Sequence, residues 1–510
     1  MAILGNIVKQ AIKLGDKLID LEKGHQAQQA TLRHLLNYAR FTAIGRAYDF
    51  EDILKSDDLE AAFREALPYF SYEEINQKYW QPLREGKINQ SWLGSPDYFA
   101  LSSGTTGKES KRIPVTQEML DSIQRAGRLQ ILALNELDLP ADFFEKEILM
   151  LSSSVDLKKH KGFLEGEISG ISASTIPFWF RSYYRPGEEI ASINDWDKRV
   201  ERIAKEAPKW DIGAISGIPS WVELMLEKII QHHKVDHIHQ VWPNLEVYTS
   251  GGVAFSPYEK SFRQKLGRPI HVLDTYLASE GYLATQLDPK SEGMRLLLDN
   301  GVYYEFVPHK AEHIDESGKV KPSARALNIS EVEEDEEYVL IISTNAGAWR
   351  YMIGDTVKII DKEKAEIQIT GRTKFFLNKV GSQLSVQKIE AAIKALESAE
   401  DLSIKEYTVS AQRNEEGEFE HYWYLGLDER TAVSAEKMAS RLDEYLQEAN
   451  KNYKVARNKA LKGLRVTALD ADTFYDWNDH QKKKGGQVKM EKVMGDEQFA
   501  KWQDFLEQQS

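Results

Sequence analysis

Cysteine is absent from the 510 residues, which excludes disulfides, thiol nucleophiles and cysteine-based zinc sites. Covalent chemistry therefore falls to oxygen or nitrogen. The absence agrees with a reducing compartment, and a cytoplasmic location is expected. Long hydrophobic runs are also missing: no stretch approaches the roughly 18 uninterrupted apolar residues that a spanning helix needs. At the N-terminus Ile3, Ile7, Ile12, Leu14 and Leu18 recur at helical spacing, but Lys9 and Lys13 interrupt anything like a signal-peptide core. This segment reads as an amphipathic first helix. Positive charge is in deficit, with 66 Lys and Arg against 80 Asp and Glu and a net charge of -14. That balance disfavours nonspecific association with nucleic acid or anionic membranes, so neither partner is expected, and an anionic ligand needs a local basic site.

What is present is the make-up of a folded protein, 42% apolar and 29% charged. The length exceeds one ordinary core and predicts two or more domains with room for a cleft. Residues up to about 95 read as helical. Beyond them strand-like segments, Tyr98 to Leu101, Glu147 to Leu151, Glu246 to Thr249, Ile270 to Tyr276, Val302 to Val307 and Tyr338 to Ser343, alternate with helical ones. The alternation predicts an α/β fold, a large N-terminal α/β domain with mixed sheets. After a run ending in Gly371-Arg372 come two helical patterns, Val386 to Ser398 and Ala435 to Tyr453, which predict a smaller α+β C-terminal domain. The boundary is expected between residues 1–371 and 372–510. The acidic run Glu331 to Glu337 reads as a solvated turn.

Directly after the first strand, Leu101-Ser102-Ser103-Gly104-Thr105-Thr106-Gly107-Lys108 packs four hydroxyls, two glycines and a lysine into eight residues. Glycines let backbone N–H groups approach an anion, hydroxyls add donors, and lysine adds charge. This is phosphate chemistry, though not the Walker spacing. Further along stand Thr249-Ser250-Gly251-Gly252-Val253-Ala254, Thr275-Tyr276-Leu277-Ala278-Ser279-Glu280-Gly281, Trp349-Arg350-Tyr351-Met352-Ile353-Gly354-Asp355, Thr370-Gly371-Arg372-Thr373-Lys374-Phe375-Phe376 and Gly485-Gly486-Gln487-Val488-Lys489. Tyr276 offers a stacking face, Glu280 a hard oxygen ligand, and Asp355 a bidentate acceptor.

Spread in order over about 390 residues, these strings resemble the adenylate-forming enzymes. The doubled-serine loop with Lys111 beyond it is closest to the GH3 acyl-acid amido synthetases of bacterial type. The resemblance implies the adenylate-forming fold, with a mobile C-terminal lid, and an ATP-dependent ligase with Mg²⁺ that makes an acyl-AMP and passes the acyl group to an amine such as an amino acid. It implies that Ser102, Ser103, Gly104, Thr105, Thr106, Gly107 and Lys111 hold phosphate, that Gly251 and Gly252 border adenine and substrate, and that Tyr276, with Ala278 and Ser279 beside it, lies along adenine. Glu280 is then a catalytic residue and the magnesium ligand, Asp355 binds the ribose hydroxyls, Arg372 reaches the ribose or α-phosphate, and Lys489 is the catalytic lysine. Met352 stands where many plant members carry arginine. The remaining expectations are a small carboxylic acid and an amine as partners, and a monomer. Coenzyme A ligation and a catalytically silent nucleotide-binding member are the alternatives. Thr105, Glu280, Asp355, Arg372 and Lys489 are all present, against the silent reading.

Two other features draw no function from the sequence. Ile171 to Tyr184 and Ile215 to Leu226 suit an aromatic or alkyl acid, yet such residues are more often core. His232, His233, His237 and His239 cluster at what reads as a helix end, where imidazoles favour the helix dipole more than a metal.

Overall fold

The computed structural model describes residues 24–102, 110–178, 180–252, 255, 258–310, 312–315, 318–373, 384, 386–414, 416, 418–428, 431–450, 453–454, 456–457, 461–481 and 490–509. The first-helix expectation at Ile3 to Leu18 lies outside these residues.

Eleven strands, numbered along the chain, form the central sheet in the order β12 (Val302–Pro308), β13 (Glu337–Thr344), β14 (Tyr351–Asp361), β15 (Glu366–Arg372), β11 (Met294–Leu296), β10 (Gly281–Thr285), β9 (His271–Ala278), β8 (Val247–Gly251), β7 (Ile212–Gly217), β3 (Glu147–Leu151) and β6 (Tyr184–Arg185). From β12 to β9 every pairing is antiparallel; from β9 to β6 every pairing is parallel. A second sheet runs β2 (Lys111–Val115), β1 (Tyr98–Ser102), β5 (Phe163–Gly166), β4 (Lys158–His160).

Burial on both faces explains the apolar run of β13. Leu340 and Ile342 pack among the N-terminal helices, whereas Val339 and Ile341 pack with Val307, Val320 and Ala324 on the other side. The helix Gly24–Ala39 presents Leu32, Leu35, Leu36 and Ala39, a single stripe, all fully buried. Its Gln28 amide donates to the Leu298 and Val302 carbonyls at 2.6 and 2.9 Å and accepts from the Tyr304 N–H at 2.7 Å. On the parallel half, the helix Pro219–His233 starts with proline at its first turn, where no N–H is missed. Val222, Met225, Leu226 and Ile229 from it close a core with Ile215 and Trp242.

A separate core is drawn wholly from residues after 383. β16 (Ile404–Arg413), β17 (Phe419–Leu427) and β18 (Leu461–Asp470) carry Val409, Trp423 and Val466 against Leu396, Leu442 and Leu446 of the helices Val386–Glu400 and Ala435–Ala449. The second helix stops four residues short of the expected Tyr453, because Asn450 turns extended (φ -141°, ψ 106°). Glu337 likewise leaves the solvated turn: it opens β13, and its carboxylate accepts from Thr370 Oγ1 at 2.5 Å.

Candidate active site

Parallel strands β7, β8 and β9 end on one side of the sheet, the usual location of ligands in open α/β sheets. Gly251 ends β8 opposite Thr275, and Gly252 follows at φ +83°. β9 continues to Ala278 and reverses through the two-residue turn Ser279-Glu280 into Gly281, which pairs back with Ala278. The turn holds Glu280 at 6% exposure. Burial raises its carboxyl above the ordinary value; Lys111 and Arg372 draw it back down and Asp355 adds to the rise.

Asp355 and Arg372 face each other across β14 and β15, and Arg372 Nε donates to Asp355 Oδ1 at 2.6 Å. The Tyr276 hydroxyl donates to the other oxygen, Oδ2. Gly354 immediately before Asp355 has φ +89°, a backbone state that a side chain would strain. Asp355 itself is 8% exposed. A carboxylate offers about four lone-pair positions, so both oxygens retain acceptor capacity after these two bonds. Asp355 keeps Arg372 charged, with its pKa above the usual guanidinium value.

Lys111 opens β2 in register with Ser102, the last residue of β1, placing the amine beside the strand end that leads into the Ser/Thr/Gly loop. Its Nζ lies 3.5 Å from the Tyr351 hydroxyl and 5.3 Å from the Tyr72 ring centroid. Burial first, then Glu280, push the Tyr351 hydroxyl well above its ordinary value.

Lys111, Tyr276, Glu280, Asp355 and Arg372 are thus brought together. Ser102, Gly251, Gly252, Ala278 and Ser279 form the strand ends around them. Ser103, Gly104, Thr105, Thr106, Gly107 and Lys489 lie outside the described residues. Sequence reasoning missed Tyr351 and Tyr72; Tyr351 stands within a quoted motif, whereas Tyr72 has no motif around it. Among the described residues no group of three or more His, Asp or Glu side chains is arranged to hold a metal. Glu280 fits a Mg²⁺ held through one carboxylate and substrate phosphates, the habit of that ion.

Other members of the motifs are structural. Met352 packs with Val307, Val320, Ala324 and Ile341. Arg350 pairs with Glu305 at 3.0 Å, both side chains at 5% exposure or less. His233, the last residue of the helix Pro219–His233, meets the Ala204 carbonyl of another helix at 2.7 Å, whereas His239 lies in the separate turn Ile238–Gln240 and meets the Leu245 carbonyl at 3.1 Å. Ile215, Val222, Met225 and Leu226 are core, while Phe178 is 83% exposed.

The same architecture recurs in solved proteins. An AtGH3.15 acyl acid amido synthetase in complex with 2,4-DB aligns with a TM-score of 0.76 at 16% identity, over 97% of this chain and 96% of that one. A 2-hydroxyisobutyryl-CoA ligase in its postadenylation state, in complex with 2-HIB-AMP, aligns at 0.59 and 12% identity over 95% and 92%. The fold is that of the adenylate-forming enzymes. The sequence matches the GH3 family N-terminal domain over residues 19–203, its central domain over 295–372 and its C-terminal domain over 387–498. The chain belongs to the GH3 family. Among its relatives, the indole-3-acetic acid-amido synthetase GH3.4 of Arabidopsis thaliana is 28% identical, with 87% of this chain and 85% of that protein aligned. A jasmonoyl–L-amino acid synthetase GH3.5 of Oryza sativa subsp. japonica is 28% identical over 49% of this chain and 45% of that protein.

Proposed function

We infer that this chain is an ATP-dependent acyl-acid amido synthetase. The observation that carries the reading is the convergence of Lys111, Tyr276, Glu280, Asp355 and Arg372 beside the strand that enters the Ser/Thr/Gly loop, in a chain of the GH3 family. A carboxylate acylates poorly because its leaving group would be oxide. Attack of its oxygen on the α-phosphorus of ATP forms acyl-AMP and expels pyrophosphate. An amine then attacks the acyl carbon, loses a proton, and AMP departs.

Positioning and charge neutralisation do most of this work. Asp355 accepts the ribose hydroxyls, its carboxylate held by Tyr276 and Arg372. Arg372 reaches the ribose or α-phosphate, and the Tyr276 ring lies along adenine between Ala278, Ser279 and the turn at Gly251 and Gly252. Ser102, Ser103, Gly104, Thr105, Thr106, Gly107 and Lys111 hold the outer phosphates. Glu280 would hold Mg²⁺, which would supply charge neutralisation there. Lys489 bridges acid and α-phosphate. The domain boundary falls at residues 371 and 372, at the end of β15, and the chain beyond that strand, with a core of its own drawn from residues after 383, turns about it between the two half-reactions. The reaction is cytoplasmic and the protein monomeric; no helix among the described residues is long and apolar enough to cross a membrane.

The test is pyrophosphate release from ATP and Mg²⁺ with pooled aryl, indole and alkyl acids, with hydroxylamine as the amine trap. Acid-dependent release with a hydroxamate product is expected. Release that requires coenzyme A and yields a thioester would replace this reading, and silence across the pools from a protein that binds ATP would sink it.

A further inference from the structure

Among the described residues, no buried apolar cluster takes members from both sides of the boundary at residues 371 and 372. Polar contacts cross it instead. Lys260 Nζ donates to the Leu402 carbonyl at 3.2 Å and lies 3.4 Å from Asp401 Oδ1, at exposed positions. Lys405 Nζ sits 2.5 Å from Asp428 and 3.9 Å from Glu227, a residue of the helix Pro219–His233 that also meets Lys265 at 3.2 Å. A third crossing contact is buried: the Tyr258 hydroxyl donates to Glu406 Oε1 at 3.0 Å, and each residue is 5% exposed. Polar contact is the habit of domain interfaces that come apart.

The second oxygen of Glu406 has a different partner. Oε2 accepts from Lys492 Nζ at 2.7 Å. Lys492 belongs to a segment laid along β16, where the Val409 N–H donates to the Lys492 carbonyl at 3.0 Å and the Met494 N–H to the Val409 carbonyl at 2.8 Å. Thr408 Oγ1 adds a bond to the Glu491 carbonyl at 2.7 Å. Glu406 stands on the same strand just after a bulge, since Ile404 and Glu406 face the adjacent residues Leu427 and Gly426 of β17. Bulges re-aim the side chains beside them. Along the chain, Lys492 follows Lys489 by three residues and Tyr258 follows Gly252 by six. One carboxylate thus ties the stretch beyond the Gly251-Gly252 turn to the stretch beyond Lys489.

We propose that Glu406 is a positioning residue, which by bridging Tyr258 and Lys492 holds the C-terminal domain in the orientation where Lys489 serves adenylation. The proposal rests on the reading above, in which Lys489 acts in the first half-reaction and the domain turns before the second. Acyl transfer then requires the Tyr258–Glu406 bond to break, while the Glu406–Lys492 pair travels intact. The pair makes the bond releasable: a carboxylate that leaves Tyr258 with its lysine is never stranded as a lone charge.

The experiment uses the full chain and the variants Tyr258→Phe, Glu406→Gln, Lys492→Met and Lys492→Arg. Each is assayed for ATP–pyrophosphate exchange with an acid from the pooled screen, and for hydroxamate formation from the synthetic adenylate of that acid with hydroxylamine. Retained hydroxamate formation also shows that a variant is folded. Tyr258→Phe and Glu406→Gln are expected to lower exchange about tenfold or more, the scale of one hydrogen bond to a charged group, with acyl transfer unchanged or faster. Lys492→Met shares the loss and Lys492→Arg restores it. Equal losses in the two assays, a loss confined to acyl transfer, or no loss overturns the proposal. Because the chain has no cysteine, Lys260→Cys with Asp401→Cys can be joined by bismaleimidoethane to lock this orientation. The locked chain is expected to keep exchange and lose acyl transfer; kept acyl transfer or lost exchange overturns the proposal. A wild type inert in both assays strikes the ligase reading itself, and the proposal with it.

Discussion

Asp355 and Arg372 occupy directly opposed positions on neighbouring antiparallel strands, and their side chains meet at 2.6 Å. The backbone register, set by β14 and β15, therefore fixes the pair before any nucleotide arrives. Replacing Asp355 by Asn keeps the volume and removes the charge. Asp355→Asn is expected to raise KM for ATP in pyrophosphate exchange by about tenfold to hundredfold, with KM for the acid little changed. An unaltered KM for ATP would remove Asp355 from the nucleotide site.

Glu280 titrates above an ordinary carboxylate chiefly because it is buried. A metal ligand must be ionised, so exchange at subsaturating Mg²⁺ should fall on acidification while ordinary surface carboxylates are still charged. Glu280→Gln is expected to lose most of the rate and the acid limb together. A pH profile measured at several Mg²⁺ concentrations checks this: the limb moves to lower pH as Mg²⁺ rises.

Lys489 belongs to the part of the chain after β18. Lys489→Ala is expected to lower adenylation on the order of 10²- to 10³-fold, the usual scale for one such contact, while the exposed Lys501→Ala does not. Acyl transfer from synthetic adenylate should survive in Lys489→Ala. Equal behaviour of the two variants in exchange would cancel the assignment.

The Arg350–Glu305 pair ties the motif Trp349 to Asp355 to the N-terminal helices, since Arg350 Nη1 also donates to the Arg64 and Leu67 carbonyls at 2.9 and 2.5 Å. Removing one partner leaves a buried charge, at a cost of about 3–5 kcal/mol. Arg350→Met should show that loss in urea unfolding, and Arg350→Met with Glu305→Leu should recover much of it.

His421 is fully buried, and both ring nitrogens lack partners. Burial foremost, with Arg457 adding and Asp443 opposing, lowers its pKa from 6.5 to about 3. The unfolded chain then binds a proton that the native state refuses. The stability contributed by this group is complete above about pH 6.5 and is lost as pH falls toward 3, with a limiting slope of about 1.4 kcal/mol per pH unit. His421→Phe should flatten that part of the stability curve, measured by denaturant midpoints from pH 7 to 4.

Most of this architecture could be read from local pattern. The strands around Glu147 and Tyr338 announce themselves as apolar runs, and the one at Val302 does so despite Glu305 within it, whereas β10, the return strand after Ser279-Glu280, is not among the segments that the sequence singles out. The helix end at Asn450 was less visible, because the apolar spacing continues to Tyr453, itself buried. Asp355 and Arg372 could be named from motifs, but their pairing depends on strand register, which no short string encodes. Tyr72 escaped notice for a related reason: a long-range neighbour, Lys111, places it at the site, and that leaves no sequence signature. Arg350 stands within a motif without a role read from it, and its work is inside the core.

The Gln28 side chain has a consequence for how copies of this chain meet one another. A sheet ends in bare hydrogen-bonding groups that invite a foreign strand to add on. At the β12 border an incoming strand would find the Val302 carbonyl and the Tyr304 amide already occupied by one glutamine. The amide of a single side chain imitates the missing neighbour, and self-association by strand addition is closed off along that margin.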